Sequence, residues 1–135
     1  MTIQITMKKL FALVLSLTST AAAAEWTNIG ESNLKGGYTV YADQSSTLKT
    51  SSRAKMSILF DYQIVQKTSG AEFLSEKIRR EYDCQEKQIR RLAFSLFSLN
   101  KEHGDLIRSY NQPQKWEVVK AGSIEEVEWK FACNK

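Results

Sequence analysis

Histidine is almost missing from this chain: His103 is the only one among 135 residues. A Ser/His/Asp arrangement would have to be built on it. It lies in Lys101-Glu102-His103-Gly104-Asp105, a turn-like stretch with no nucleophile beside it. Glu102, His103 and Asp105 have the donor types for a metal, but adjacent loop carboxylates with one imidazole are common in solvated turns, the simpler reading here. Cysteine is scarce as well, and Cys84 and Cys133 stand too far apart for a C-x-x-C redox pair. No P-loop, dinucleotide fingerprint or zinc motif occurs. These absences argue against an enzyme, and no catalytic residue, cofactor or metal is expected.

What is present begins with the N-terminus. Lys8 and Lys9 precede the apolar run Leu10 to Leu17, followed by small residues from Ala21 to Ala24 and a polar chain from Glu25. Positive, then apolar, then small is the layout of a cleavable signal peptide. The run falls short of the roughly 20 residues a membrane span requires. No cysteine follows it, so the lipid-attachment signal of a bacterial lipoprotein is lacking. The expected organisation is a signal peptide over residues 1–24 and one domain over 25–135, exported to the periplasm or secreted.

Lys8 and Lys9 leave with the leader. Of 19 basic and 15 acidic residues, 17 and 15 then remain, a net charge of +2. That balance concerns solubility before it concerns any partner, and it gives no ground for nucleic-acid binding. In an exported protein two cysteines read as one disulfide. A Cys84–Cys133 bond would stabilise the fold by about 4 kcal/mol on the chain-entropy relation.

The chain between these landmarks reads mostly as strands. Trp26 to Ile29 and Tyr38 to Tyr41 are short strands around the turn residues Asn33 to Gly37. Gln44 to Ser52, rich in serine and threonine, reads as a loop. From Arg53 to Tyr62 the residues Ala54, Met56, Ile58, Phe60 and Tyr62 share one face, and only Leu59 breaks the period of two. This predicts a sheet with one face buried and one wet. Gln66 to Gly70 reads as a turn, and Phe73 to Cys84 as a strand with Glu76 and Arg80 on the apolar parity. A bulge near Ser95 would gather Leu92, Phe94, Leu96, Phe97 and Leu99 on one face. Asp105 to Tyr110 closes the set as a final short strand. The last segment leaves two readings open. Val127, Trp129, Phe131 and Cys133 alternate as in a strand, whereas Ser123-Ile124-Glu125-Glu126 is a capping box before helically spaced Ile124, Val127 and Phe131. A capped helix start would also account for Glu125 and Glu126, which otherwise resemble, with Glu128, paired carboxylates for acid–base work.

Basic residues concentrate in one region. Lys77, Arg79 and Arg80 fall on one expected strand, with Lys87, Arg90 and Arg91 on the next. A hairpin turning at Cys84–Glu86 would bring the six close together, interspersed with Glu76, Glu81, Asp83 and Glu86. This predicts either a solvated sheet face or an electrostatic docking face for an acidic protein or polyanion, with Arg79 and Arg90 exposed.

Several short segments together resemble the bacterial surface-adhesin protein E family. They are Trp26, Gly36-Gly37-Tyr38-Thr39-Val40-Tyr41-Ala42-Asp43, Leu59-Phe60-Asp61-Tyr62 and Glu81-Tyr82-Asp83-Cys84, then Pro113-x-x-Trp116, Gly122-Ser123 and Trp129-Lys130-Phe131-Ala132-Cys133. The resemblance implies an α+β domain: a curved antiparallel sheet with a C-terminal helix held on its concave face by the disulfide. It further implies a non-enzymatic module that presents a small rigid surface to extracellular-matrix or serum proteins of a host. The chain departs from the lipid-anchored adhesin that names the family, having no cysteine for the lipid. A plain exported accessory protein of the periplasm or envelope is the alternative.

Overall fold

The structure, a computed structural model, describes residues 24–135. The expected signal peptide, residues 1–24, lies outside the described residues but for Ala24. Seven strands form one antiparallel sheet: β1 (Trp26–Ser32), β2 (Tyr38–Lys49), β3 (Arg53–Thr68), β4 (Ala71–Asp83), β5 (Gln88–Phe97), β6 (Leu106–Tyr110) and β7 (Glu117–Val118). Their spatial order is the chain order from β1 to β6, and β7 also pairs with β5. The sheet is not closed. Each of the five pairings from β1 to β6 carries one register shift, and such bulges bend a strand and sharpen its twist.

The alternation read from Arg53 to Tyr62 is the core of the fold. Ala54, Met56, Ile58, Phe60 and Tyr62 are buried on one face, beside Val40 and Ala42 of β2 and Ile78 and Tyr82 of β4. The helix α1 (Ile124–Cys133) lies on that face and buries Trp129 and Ala132 there. The capping box wins over the strand reading: Ser123 Oγ accepts from the Glu126 N–H, and Asn134 ends the helix in the left-handed region with its N–H donating to the Lys130 carbonyl. Gly30 lets the helix start approach β1, because a Cβ there would stand 2.7 Å from Ile124 Cδ1. At the other end Cys133 bonds Cys84 with a Cα–Cα distance of 5.6 Å, and Trp129 Nε1 donates to the Asp83 carbonyl at 2.9 Å. The disulfide and the helix are therefore as expected.

Several boundaries differ from the sequence reading. The loop expected over Gln44 to Ser52 shrinks to residues 50–52, since β2 runs to Lys49 and pairs with β3 again at Leu48. The short polar side chains make this possible by satisfying the backbone at the register shift. Asp43 Oδ1 accepts from the Ser45 N–H, and Ser46 Oγ accepts from the Ser57 N–H at 2.9 Å. The turn expected over Gln66 to Gly70 narrows to Ser69 and Gly70, both at positive φ. The bulge in β5 falls at Leu92 and not near Ser95, so Phe94 and Leu96 join the helix-bearing face while Phe97, opposite Ser75, goes to the other.

That other face is not simply wet. Leu59 is fully buried on it, with Ser57, Ser75 and Glu81 also buried. The segment between β5 and β6 folds back over it. Lys101 N–H donates to Asp61 Oδ1, Asn100 Nδ2 to the Tyr62 carbonyl, and Ser75 Oγ to the Leu99 carbonyl.

Candidate functional site: a cation–aromatic face

The β4–β5 hairpin forms as expected, with Glu81 opposite Arg90 and Arg80 opposite Arg91. The six basic residues do not share a face, however. Side chains alternate along a strand, so Lys77 and Arg79 point away from the helix and Arg80 toward it. Arg90 and Arg91 divide in the same way, Arg90 with Glu81 and Arg91 with Arg80. Lys87 sits in the turn at positive φ and reaches Glu126 of α1 at 2.6 Å.

Most of these charges are already matched. Lys77 pairs with Glu102, Arg90 with Glu81 at 2.6 Å, and Arg91 with Glu76 at 2.5 Å. Arg79 donates through Nη1 to the Ser46 carbonyl at 2.9 Å and to Ser57 Oγ at 3.2 Å. Arg79 and Arg90 are half-buried rather than exposed, so charge reversal at either would break contacts of the fold. Arg80 is 5 % exposed and lies 3.1 Å through Nε from Oε1 of Glu128, itself fully buried on α1. Tyr82 donates its hydroxyl to the same Oε1. Burial pushes the Glu128 carboxyl up from its ordinary value, against the pull of Arg80 and Tyr82. Burial is the strongest single influence and works to lower Arg80, but Glu128 together with Tyr82, Glu125 and Glu76 holds the guanidinium above its usual value.

On the face away from α1 the cations meet aromatic rings. The guanidinium groups of Arg90 and Arg53 lie 4.6 and 5.1 Å from the centre of the Trp116 ring. Lys101 stands 4.1 Å from the centre of the Tyr41 ring. Trp26 Nε1 donates to Glu102 Oε2 at 3.1 Å, and Lys77 holds the other oxygen of that carboxylate at 3.4 Å. Glu81 fixes Arg90 through both Nε and Nη2. The rings are thus held by groups that are themselves bonded to the sheet. Sequence reading missed Trp116, Arg53, Tyr41 and Lys101 as members of this face. Trp116 was marked only by its place in Pro113-x-x-Trp116, because the register that sets it beside Arg90 is tertiary.

The residues considered for chemistry have structural partners. Glu102 is shared by Trp26 and Lys77, and the His103 N–H and carbonyl close the turn with Asn100 and Leu99. Among the described residues no three of His, Cys, Asp and Glu gather to hold a metal. Glu126 binds Lys87, Lys130 and the Gly122 N–H, and its pKa is lowered chiefly by the Lys87 contact. Among the described residues no helix is long and apolar enough to cross a membrane.

No curated protein sequence matches this chain. The family model for surface-adhesin protein E matches residues 26–134, which takes in every strand, the disulfide and α1. With nearly all of the domain inside that match, this chain belongs to the surface-adhesin protein E family.

Proposed function

We propose that this is an exported, non-enzymatic binding module that docks on an extracellular protein of a host through the face opposite α1, with Trp116, Arg90 and Arg53 at its centre. The observation that carries the reading is the pair of guanidinium groups over the Trp116 ring. Tryptophan, tyrosine and arginine dominate the energetics of protein interfaces. Here they are immobilised beforehand, so little side-chain freedom remains to be lost on docking. Lys77 and Arg79 lie on the same face and belong to the docking surface. Glu102 and Glu81 neutralise much of the charge on Lys77 and Arg90, which makes the attraction one of short-range contact more than of long-range steering. The carboxylates that would do acid–base work are engaged in the fold, which supports a role without turnover.

Trp116→Ala is expected to weaken binding to an extracellular-matrix or serum protein at least tenfold, or about 2 kcal/mol. The loss should appear mainly as faster dissociation. Surface plasmon resonance against a panel of such proteins measures it, with thermal unfolding run on the same sample to show an intact domain. Undiminished binding by a folded Trp116→Ala protein would move the docking surface elsewhere.

Export is the second part of the proposal. Cleavage after Ala24 should leave Glu25 as the mature N-terminus, because Ala22 and Ala24 supply the small residues a signal peptidase requires. N-terminal sequencing of periplasmic and secreted fractions tests this. A soluble protein that keeps Lys8 and Lys9 would defeat it.

A further inference from the structure

We infer that the outer edge of β1 and the flank of α1 beside it form a groove that takes an extended segment of another protein as an added strand. The segment it fits carries apolar residues at alternate positions, followed on the same face by an acidic one. The groove lies on the helix-bearing side of the sheet, away from Trp116, so the two surfaces can be tested separately. Thr27, Asn28 and Ile29 of β1 form one wall and Val127, Lys130 and Phe131 of α1 the other, around a volume of about 520 Å³.

The strand wall is open for pairing. β1 stands at the end of the sheet and pairs only with β2. Beyond that ladder, one hydrogen bond is made by a β1 backbone group among the described residues, from the Gly30 N–H to Asn28 Oδ1. The remaining outward donors and acceptors form the template on which an extended peptide adds to a sheet edge.

The helix wall sets which side chains fit. α1 begins close over Gly30, and Val127, 41 % exposed, stands one turn on, with Phe131 one turn further. Both face Ile29, the extra residue of the β1 bulge. Alternate residues of a strand share a face, so every second side chain of the segment meets these three. Apolar residues suit those positions.

The charged residues of the lining are Lys130 and Lys135, with no carboxylate among them. Lys130 shares Glu126 with Lys87, whose contact is the closer, at 2.6 against 3.7 Å. Lys135 makes no side-chain ion pair among the described residues. Three lysines thus stand against Glu126 and the carboxylate of the chain end, which leaves one positive charge in excess. A single acidic side chain complements it. The groove also reaches Gln44, next to the residue that pairs with Trp26, so its cations stand toward the start of β1. Antiparallel addition continues the pattern of this sheet and is the more stable pairing, which puts the acid near the C-terminal end of the segment.

The test uses the full purified protein and the peptide acetyl-Thr-Val-Thr-Val-Thr-Glu-amide. NMR titration should shift the amides of Thr27 to Glu31 and of Val127 to Phe131, with a Kd on the order of 1 mM. The same peptide N-methylated at every residue keeps its side chains but has no backbone donor, and it should bind at least about tenfold more weakly. Val127→Glu, at an exposed position, should weaken the parent peptide by a similar factor with the thermal midpoint unchanged. Lys130→Gln with Lys135→Gln should weaken it about fivefold and leave the peptide ending in glutamine unaffected. Equal binding of the N-methylated peptide overturns the proposal. So does the absence of any β1 shift up to about 10 mM peptide, or a double lysine variant that binds as tightly as the parent. A dimer in sedimentation whose β1 amides are already protected from exchange would put a second copy in the groove and overturn it as well.

Discussion

Replacing Cys84 and Cys133 together by serine should lower the stability of the domain by about 4 kcal/mol, the value the chain-entropy relation gives for their separation of 49 residues. For a domain of this size that corresponds to a fall of about 15–25 °C in thermal midpoint. The position of the bond makes the effect more than an entropic one. It fastens the last turn of α1 to the β4–β5 hairpin, and α1 has only ten residues. A helix so short is marginal on its own and persists by packing. Once the tie is removed, Trp129 and Ala132 have only their contacts and the Trp129–Asp83 hydrogen bond to hold them. The variant should unfold in urea at a lower midpoint, with α1 losing amide protection before β3 and β4. A midpoint within about 3 °C of the parent would show that packing alone holds the helix.

Glu128→Ala should be as damaging, at about 3–5 kcal/mol, because it leaves the Arg80 guanidinium buried without its counter-charge. The same change deprives the Tyr82 hydroxyl of its acceptor and opens space beneath α1. The informative partner is a double variant, Arg80→Met with Glu128→Leu. A buried ion pair exchanged for apolar groups of similar volume often costs nothing, since two desolvation penalties vanish with the attraction. The double variant should therefore recover most of the loss, as read by urea unfolding at neutral pH. If it is as unstable as Glu128→Ala, the harm comes from lost volume and not from stranded charge.

The buried charges of β4 also show how far the sequence could be read. Glu76 and Arg80 fall on the apolar parity of β4, and that parity places them on the helix-bearing face. The sequence could not show what would neutralise them there, because Glu128 and Arg91 arrive from elements whose docking is tertiary. The capping residues of α1 were legible, since Ser123 and Glu126 act within one turn. So was the β4–β5 hairpin, whose turn follows Cys84. Its facing was not. One extra residue at Leu92 shifts the register, and alternation sends neighbouring arginines to opposite sides. Gln44 to Ser52 was misread for a related reason: serine and threonine favour loops, but here their hydroxyls complete the ladder around a bulge. Leu59 was visible as an exception in the alternation without a cause. Its cause is the segment after β5, which covers the second face.

The order of the strands has a bearing on how this chain acquires its shape. Because β1 to β6 pair strictly with their neighbours in sequence, each strand, made N-terminus first, meets a partner that is already there. Local pairings of this kind close small loops and proceed quickly. Cys133 closes α1 and follows every strand of the sheet in sequence. Cys84, at the end of β4, has no cysteine partner within the domain until then. The Cys84–Cys133 bond can therefore form only once every strand of the sheet has been made, so it cannot guide strand pairings that precede it.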